Sequence, residues 1–320
     1  MSEIQRVAGA VAQADSLALA CHVGPDGDAL GSMLAFGVAA RNNDKDVVAS
    51  FGSPFDVPAN LRFLPTDLLV APGDFPEQPE TMVVFDAGSA DRLGELGRQA
   101  GKAETLIVLD HHATNEGFGD IAVIDSSAAA TGEIVFELLG LLGWDIDQEI
   151  ATCLHTSLVT DTGRFSYSNT TPETLRIAAE LIEAGAVPSD ISRHVYEEAP
   201  FGYLKVSSLA LSRAHLDAER GIVTASVTDE DLDASGIDWG DIDGLIDTLR
   251  LAQEADVAAL AKVHDDGRVK VSLRSRGATD VGSLAAKMGG GGHRLAAGFT
   301  VERDPEEILE EVRQIVRDFR

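Results

Sequence analysis

The chain predicts an α/β protein in two parts: a first domain with a parallel sheet flanked by helices, then a smaller α/β domain with a mixed sheet. Three observations point there. Short apolar runs alternate with helix-length segments through the first 190 residues. Acidic and imidazole residues follow directly on three of those runs. From about Leu216 the pattern changes to strands joined by a hairpin signal.

In chain order, Ser16–Cys21 (SLALAC) is apolar and too short for a helix, so it reads as a buried strand. A helix is expected over 28–42 and a strand over 45–51. Loops rich in Gly, Pro and Asp lead to the strand Thr81–Phe85. A helix over 89–100, a strand over 105–109 and a strand over Ile121–Ile124 follow. From Thr131 the pattern is helical: one run to Gly143, a second capped by Asp147 and reaching about Thr160, a third from Thr171-Pro172-Glu173 to Gly185. Proline in the first turn of that third run loses no hydrogen bond. Linking helices are expected over 189–213. Strands follow over 221–227 and Val257–Val263, and Asp265-Asp266-Gly267 turns the chain into a strand over 268–274. A helix over 281–288, the run Gly289–Gly292 with His293, a strand over 295–301 and a helix over 305–319 complete the chain. The domains expected are 1–190 and 218–320, with a helical linker over 191–217.

Composition narrows the function. The hydrophobic fraction of 44% supports a packed core. No apolar run approaches the roughly 18–20 residues that span a bilayer, and no secretory leader is legible, so no membrane partner is expected. Cys21 and Cys153 are the only cysteines, which fits a reducing cytoplasm and no disulfide framework. With 53 acids against 25 Lys and Arg the net charge is −28, a field that repels nucleic acid at long range. Aromatics make up 5%, too few for a stacking platform along a long strand. A polyanionic substrate therefore has to be short, and cations or a few arginines must reverse the field locally.

The candidate chemistry lies in His22-x-x-x-Asp26-x-Asp28, Asp86, Asp110-His111-His112 and Asp161. The first three clusters sit just beyond apolar runs, where ligands bind in parallel α/β sheets. Asp161 falls at a helix end, before Thr162-Gly163. So many carboxylates coexist only with cations among them. Asp26, Asp28, Asp86 and Asp161 balance two divalent ions, and mixed imidazole and carboxylate donors suit manganese, with magnesium less comfortable and cobalt a further candidate. Asp86 ends a neighbouring strand and could bridge both ions. Such ions can share a hydroxide and bring its pKa near neutral. In the second domain, Gly290, Gly291 and Gly292 offer backbone N–H groups without a Cβ in the way, and His293 follows at once. Arg274, Ser275 and Arg276 precede this loop, with strand alternation putting both arginines on one face. His155, His194, His215 and His264 are lone histidines, expected on the surface or hydrogen-bonded in place.

The segments HVGPDGDALGS (22–32), Asp86-Ala-Gly88, Asp110-His111-His112 and Asp161-Thr-Gly163 together resemble the four motifs of the DHH phosphoesterase family. GGGGHRLAAG (289–298) resembles the signature of the DHH-associated C-terminal domain. The resemblance covers nearly the whole chain and is nearest to the NrnA-type branch of nanoRNases and pAp phosphatases, some of which also hydrolyse cyclic di-AMP. It implies that His22 and Asp26 hold a first ion, that Asp28, His111 and Asp161 hold a second, and that Asp86 bridges them. It further implies that Asp110 orients an imidazole and that His112 faces the scissile phosphate as a donor. The implied substrates are short RNA, linear and cyclic dinucleotides (pApA, cyclic di-AMP) and pAp, giving nucleoside 5′-monophosphates. Relatives of this type are often homodimers. The alternatives are a RecJ-like single-strand exonuclease, an inorganic pyrophosphatase on the same metal core, and a catalytically silent nucleotide sensor.

Overall fold

The run SLALAC has no polar face because the sheet it enters is covered on both sides. In the computed structural model, which describes residues 2–292 and 294–320, the chain divides into two units, Met1–Glu198 and Ala199–Arg320. The first holds α1 (Glu3–Gln13), β1 (Ser16–Cys21), α2 (Gly27–Asn42), β2 (Asp46–Phe51), β3 (Thr81–Phe85), α3 (Gly97–Ala100), β4 (Thr105–Asp110), β5 (Ile121–Ile124), α4 (Thr131–Leu142), α5 (Gln148–Asp161), α6 (Pro172–Glu183) and α7 (Pro188–Ser192). All five strands are parallel, in the order β2-β1-β3-β4-β5. Leu17, Leu19, Val83 and Phe85 belong to one core layer, with apolar residues of α1, α2, α4 and α5. Ala18, Ala20, Met82 and Val84 belong to the other, with Phe75, Leu93 and Leu96. The strand order turns back between β1 and β3, which opens a crevice at their carboxyl ends.

Two findings depart from the sequence reading of this unit. It does not include α1, although the start signal is legible: Ser2 and Gln5 form a reciprocal capping box. The helix expected over 89–100 is instead a set of 3₁₀ turns over Ala90–Leu96, followed by the single turn α3. Gly94 breaks the run with φ +59°, and a Cβ there would lie 2.8 Å from the Val23 side chain. The segment packs against the loop after β1 and gives up helical regularity to do so.

The second unit holds α8 (Phe201–Ser212), β6 (His215–Asp217), β7 (Ile222–Thr228), α9 (Asp229–Ser235), α10 (Leu245–Leu249), β8 (Val257–Val263), β9 (Val269–Ser275), α11 (Val281–Lys287), β10 (Gly291–Gly292), β11 (Ala296–Val301) and α12 (Pro305–Ile315). Its six strands run β10-β11-β9-β8-β7-β6, with β7 and β8 parallel and the other pairs antiparallel. Val263 pairs with Val269 across the Asp265-Asp266-Gly267 turn. One face is covered by α11 and α12, the other by α8, α9 and α10. No helix among the described residues is long and apolar enough to cross a membrane.

Candidate metal centre

The strand-end residues meet because parallel strands deliver their carboxyl ends to one edge. His22 follows β1 directly, and its Nε2 lies 3.5 Å from Asp86 Oδ2 and 3.9 Å from Asp26 Oδ1. Asp26 is the N-cap of α2 and accepts from the N–H groups of Asp28 (3.0 Å) and Ala29 (3.1 Å). Asp86 follows β3 with φ +54°, a left-handed conformation costly for a residue with a Cβ and concentrated at functional sites. Its Oδ1 lies 3.6 Å from His111 Nε2 and 3.5 Å from His112 Nδ1. His111 Nε2 is also 3.6 Å from Asp28 Oδ2 and from Asp161 Oδ2. Asp161 is the last residue of α5. The donor atoms of His22, Asp26 and Asp86 lie within 4.8 Å of one another, as do those of Asp28, His111 and Asp161 and those of Asp86, His111 and His112.

A second layer of hydrogen bonds holds these groups. Buried Asp28 accepts from Ser32 Oγ (2.9 Å), Ser157 Oγ (2.5 Å), Thr131 N (2.8 Å) and Gly132 N (3.3 Å). Thr131 Oγ donates to Asp86 Oδ1 at 3.1 Å. His111 Nδ1 is 3.3 Å from the Ala128 carbonyl. Asp110 is fully buried; it lies 2.6 Å from His112 Nδ1 and accepts from Asn115 Nδ2 at 2.6 Å. Asn169 Nδ2 donates to the carbonyls of Ala129 (3.0 Å) and Asp161 (3.2 Å). The sequence reading did not single out Thr131, Ser157, Asn115 or Asn169 for this work. Ser32 alone carried a signal, four residues from Asp28 on one helical face.

The electrostatics of the cluster favour positive charge beside the carboxylates. Burial pushes Asp28 up to about 7, with the Asp86 charge adding to it. Asp161 is raised by burial and by Asp28. Asp86 goes the other way: burial opposes ionisation, but the His22 hydrogen bond and the neighbouring imidazoles hold it well below the usual carboxylate range. Burial works against charge on His22 and His111 too, yet the surrounding carboxylates raise both to about 9. The carboxylates favour the charged form of His22 and His111, while burial favours the neutral form of Asp28 and Asp161. A pair of divalent cations supplies positive charge there, so the donor set fits such ions.

The remaining candidates are placed as follows. Arg274, near the end of β9, is half-buried and donates to the Leu273 carbonyl at 3.1 Å. The strand ends at Ser275, so Arg276 lies beyond it and the alternation argument does not reach it; its Nη1 is 3.3 Å from the Ala252 carbonyl. Ser275 is buried, with its hydroxyl on Asp256 (3.3 Å) and accepting the Gly277 N–H (3.0 Å). The glycine loop has a reason other than ligand access: a Cβ on Gly290 would strike the Gly298 carbonyl, and one on Gly292 would lie 2.6 Å from Ala297 Cα. Only Gly289 and Gly291 of the run have open space there. His293 lies outside the described residues.

Of the lone histidines, His194 is 3.0 Å from Glu198 and stacks on Phe63, His215 is exposed, and His264 packs on Trp239. His155 departs from expectation: it is buried on α5 against Phe165, and its Nδ1 has no hydrogen-bond partner among the described residues. Burial lowers its pKa.

Known proteins resemble this chain over most of its length. The profile of the DHH family N-terminal domain matches residues 16–158, and that of the DHHA1 domain matches residues 220–319. The chain is 35% identical over 304 residues to the bifunctional oligoribonuclease and PAP phosphatase NrnA of Thermus thermophilus, covering 94% of this chain and 89% of the relative. It is 27% identical to the Bacillus subtilis protein of the same name, covering 90% of each. The crystal structure of an exopolyphosphatase-related protein from Bacteroides fragilis has the same fold, with TM-score 0.92 and 26% identity, covering 99% of this chain and 96% of that one.

Proposed function

The chain belongs to the DHH family, and from that premise we propose that it is a manganese-dependent phosphoesterase that hydrolyses short RNA, pApA, cyclic di-AMP and pAp to nucleoside 5′-monophosphates. One observation carries the reading. Asp86 turns Oδ2 toward His22 and Oδ1 toward His111, so a single carboxylate stands between two separate donor sets. His22 and Asp26 with Asp86 would hold one divalent ion, and Asp28, His111 and Asp161 with Asp86 the other; such ions supply Lewis-acid charge and acidify water.

The chain's own residues do the rest. Asp110 engages Nδ1 of His112, which turns Nε2 toward the phosphate as a donor. Burial makes that hydrogen bond stronger than it would be in water. In the second unit, Arg274, Ser275, Arg276 and the glycine run with His293 are the candidates for contacts to a nucleotide phosphate or ribose. Short substrates fit a chain with −28 net charge, since few phosphates need neutralising. Buried Cys21 and Cys153 accord with a cytoplasmic enzyme.

The test is turnover of pApA, pAp, cyclic di-AMP, a short RNA and pyrophosphate with manganese. Release of AMP from pApA is expected. Cleavage of pyrophosphate but not pApA would overturn this reading for a pyrophosphatase, and no turnover with any divalent ion would favour a sensor.

A further inference from the structure

One short stretch, Ala128–Gly132, touches the candidate centre at several points. The Ala128 carbonyl meets His111 Nδ1, the Ala129 carbonyl accepts from Asn169, which also holds the Asp161 carbonyl, and the N–H groups of Thr131 and Gly132 donate to Asp28. All of these use main-chain atoms of the stretch, and one further contact does not. The exception is the Thr131 hydroxyl, fully buried and 3.1 Å from Asp86 Oδ1.

That bond has a geometric consequence. Asp86 has two oxygens and two neighbourhoods: Oδ2 faces His22, and Oδ1 faces His111 and His112. Rotation about the bond to the carboxyl carbon would exchange or skew these oxygens, and terminal carboxylate torsions are broad and soft. The main-chain kink at Asp86 aims the side chain but leaves this last torsion unset. A fixed donor on Oδ1 sets it.

We propose that Thr131 is a positioning residue whose hydroxyl locks the Asp86 carboxylate in the rotation that offers one oxygen to each donor set. The assignment rests on the two-ion reading above. Thr131 touches no substrate and supplies no metal-binding atom; it acts through Asp86. Its side chain and main chain are separable by mutation, because the N–H that serves Asp28 survives any substitution except proline.

The experiment is manganese binding to the metal-free full-length chain, followed by calorimetry and electron paramagnetic resonance. Wild type should take up two ions with the spin-coupled signal of neighbouring manganese. Thr131→Val keeps the β-branched shape and removes the donor. It should weaken one ion about 10- to 100-fold and lose the coupled signal, as expected when a ligand's hydrogen-bond partner is removed. Thr131→Ser, which keeps the hydroxyl, should restore both. If the valine chain does not fold, Thr131→Ala against Thr131→Ser makes the same comparison, since both lack the methyl. A valine or alanine variant that binds both ions within twofold of wild type and keeps the coupled signal overturns the assignment. Wild type that binds one ion or none overturns the two-ion reading, and this assignment with it.

Discussion

In the first unit the central carboxylates Asp28, Asp86 and Asp110 are buried and hydrogen-bonded. In the second the candidate arginines are half-buried (Arg274) or exposed (Arg276) and bond to main-chain carbonyls. Asp28, Asp86 and Asp110 are each at most 3% exposed; Thr131, from a distant segment, bonds to Asp28 and Asp86, and nearby Asn115 bonds to Asp110. Arg274 and Arg276 rest on the Leu273 and Ala252 carbonyls. No cluster of metal-ligating side chains forms in the second unit among the described residues. Buried charge demands an exact counter-charge, which is why the first unit fits ions. Arginines held only by main-chain carbonyls, one half-buried and one exposed, keep N–H groups for an incoming anion, which suits binding rather than bond cleavage.

Mutation can break this contrast. Asp86→Ala removes the one carboxylate that faces both donor sets, and kcat should fall more than about a thousandfold with the fold intact by circular dichroism. Near-normal turnover would remove the distinction between the units. Asp110→Asn keeps the shape but takes the charge from His112; kcat should fall about a hundredfold while manganese affinity holds. Arg274→Ala should act on the other side of the contrast, raising KM about tenfold, or about 1.4 kcal/mol, with kcat and metal content unchanged.

Acidity sharpens the same contrast. His22 and His111 are raised from 6.5 to about 9 in the folded chain. The stability they contribute is complete below the unfolded value near 6.5 and is lost as pH rises through about 9. Asp28, raised to about 7, and Asp161, raised as well, add to the loss as they ionise. The metal-free chain should therefore melt at lower temperature as pH goes from 6 to 9 (roughly, the window set by these groups), and manganese should flatten that slope. The second unit should show the opposite sign. Arg213 grips Asp231 with two bonds of 2.6 and 2.9 Å and holds its carboxyl below the usual range. That stability is present above the unfolded carboxylate value and is lost as pH falls below it. Asp231→Asn should cost about 1 kcal/mol, or roughly 2–4 °C in melting temperature, unaffected by manganese. A manganese-dependent shift in that variant would show that the two units are not independent.

Much of this was legible from residue order. The capped starts at Asp147 and Thr171 are local, because a side chain meets an N–H three positions on. Gly94 shows where local reading fails: helix-length spacing over 89–100 gave way to packing against Val23. The glycine run shows it too, since Gly290 and Gly292 answer to β11, which lies against them. His155 looked like any lone histidine, and only the packing of α5 buried it.

Residue order alone determined every strand but the short β6 and β10, most of the longer helices and the kinds of donor at the strand ends, because these follow from periodicity and from neighbours a few positions apart. Tertiary structure alone decided which oxygen of Asp86 faces which imidazole, and that Ser157 and Thr131 serve Asp28 and Asp86 from 129 and 45 residues away. A hydrogen bond acts over about 3 Å, and nothing in a linear pattern states which remote segments folding will bring that close.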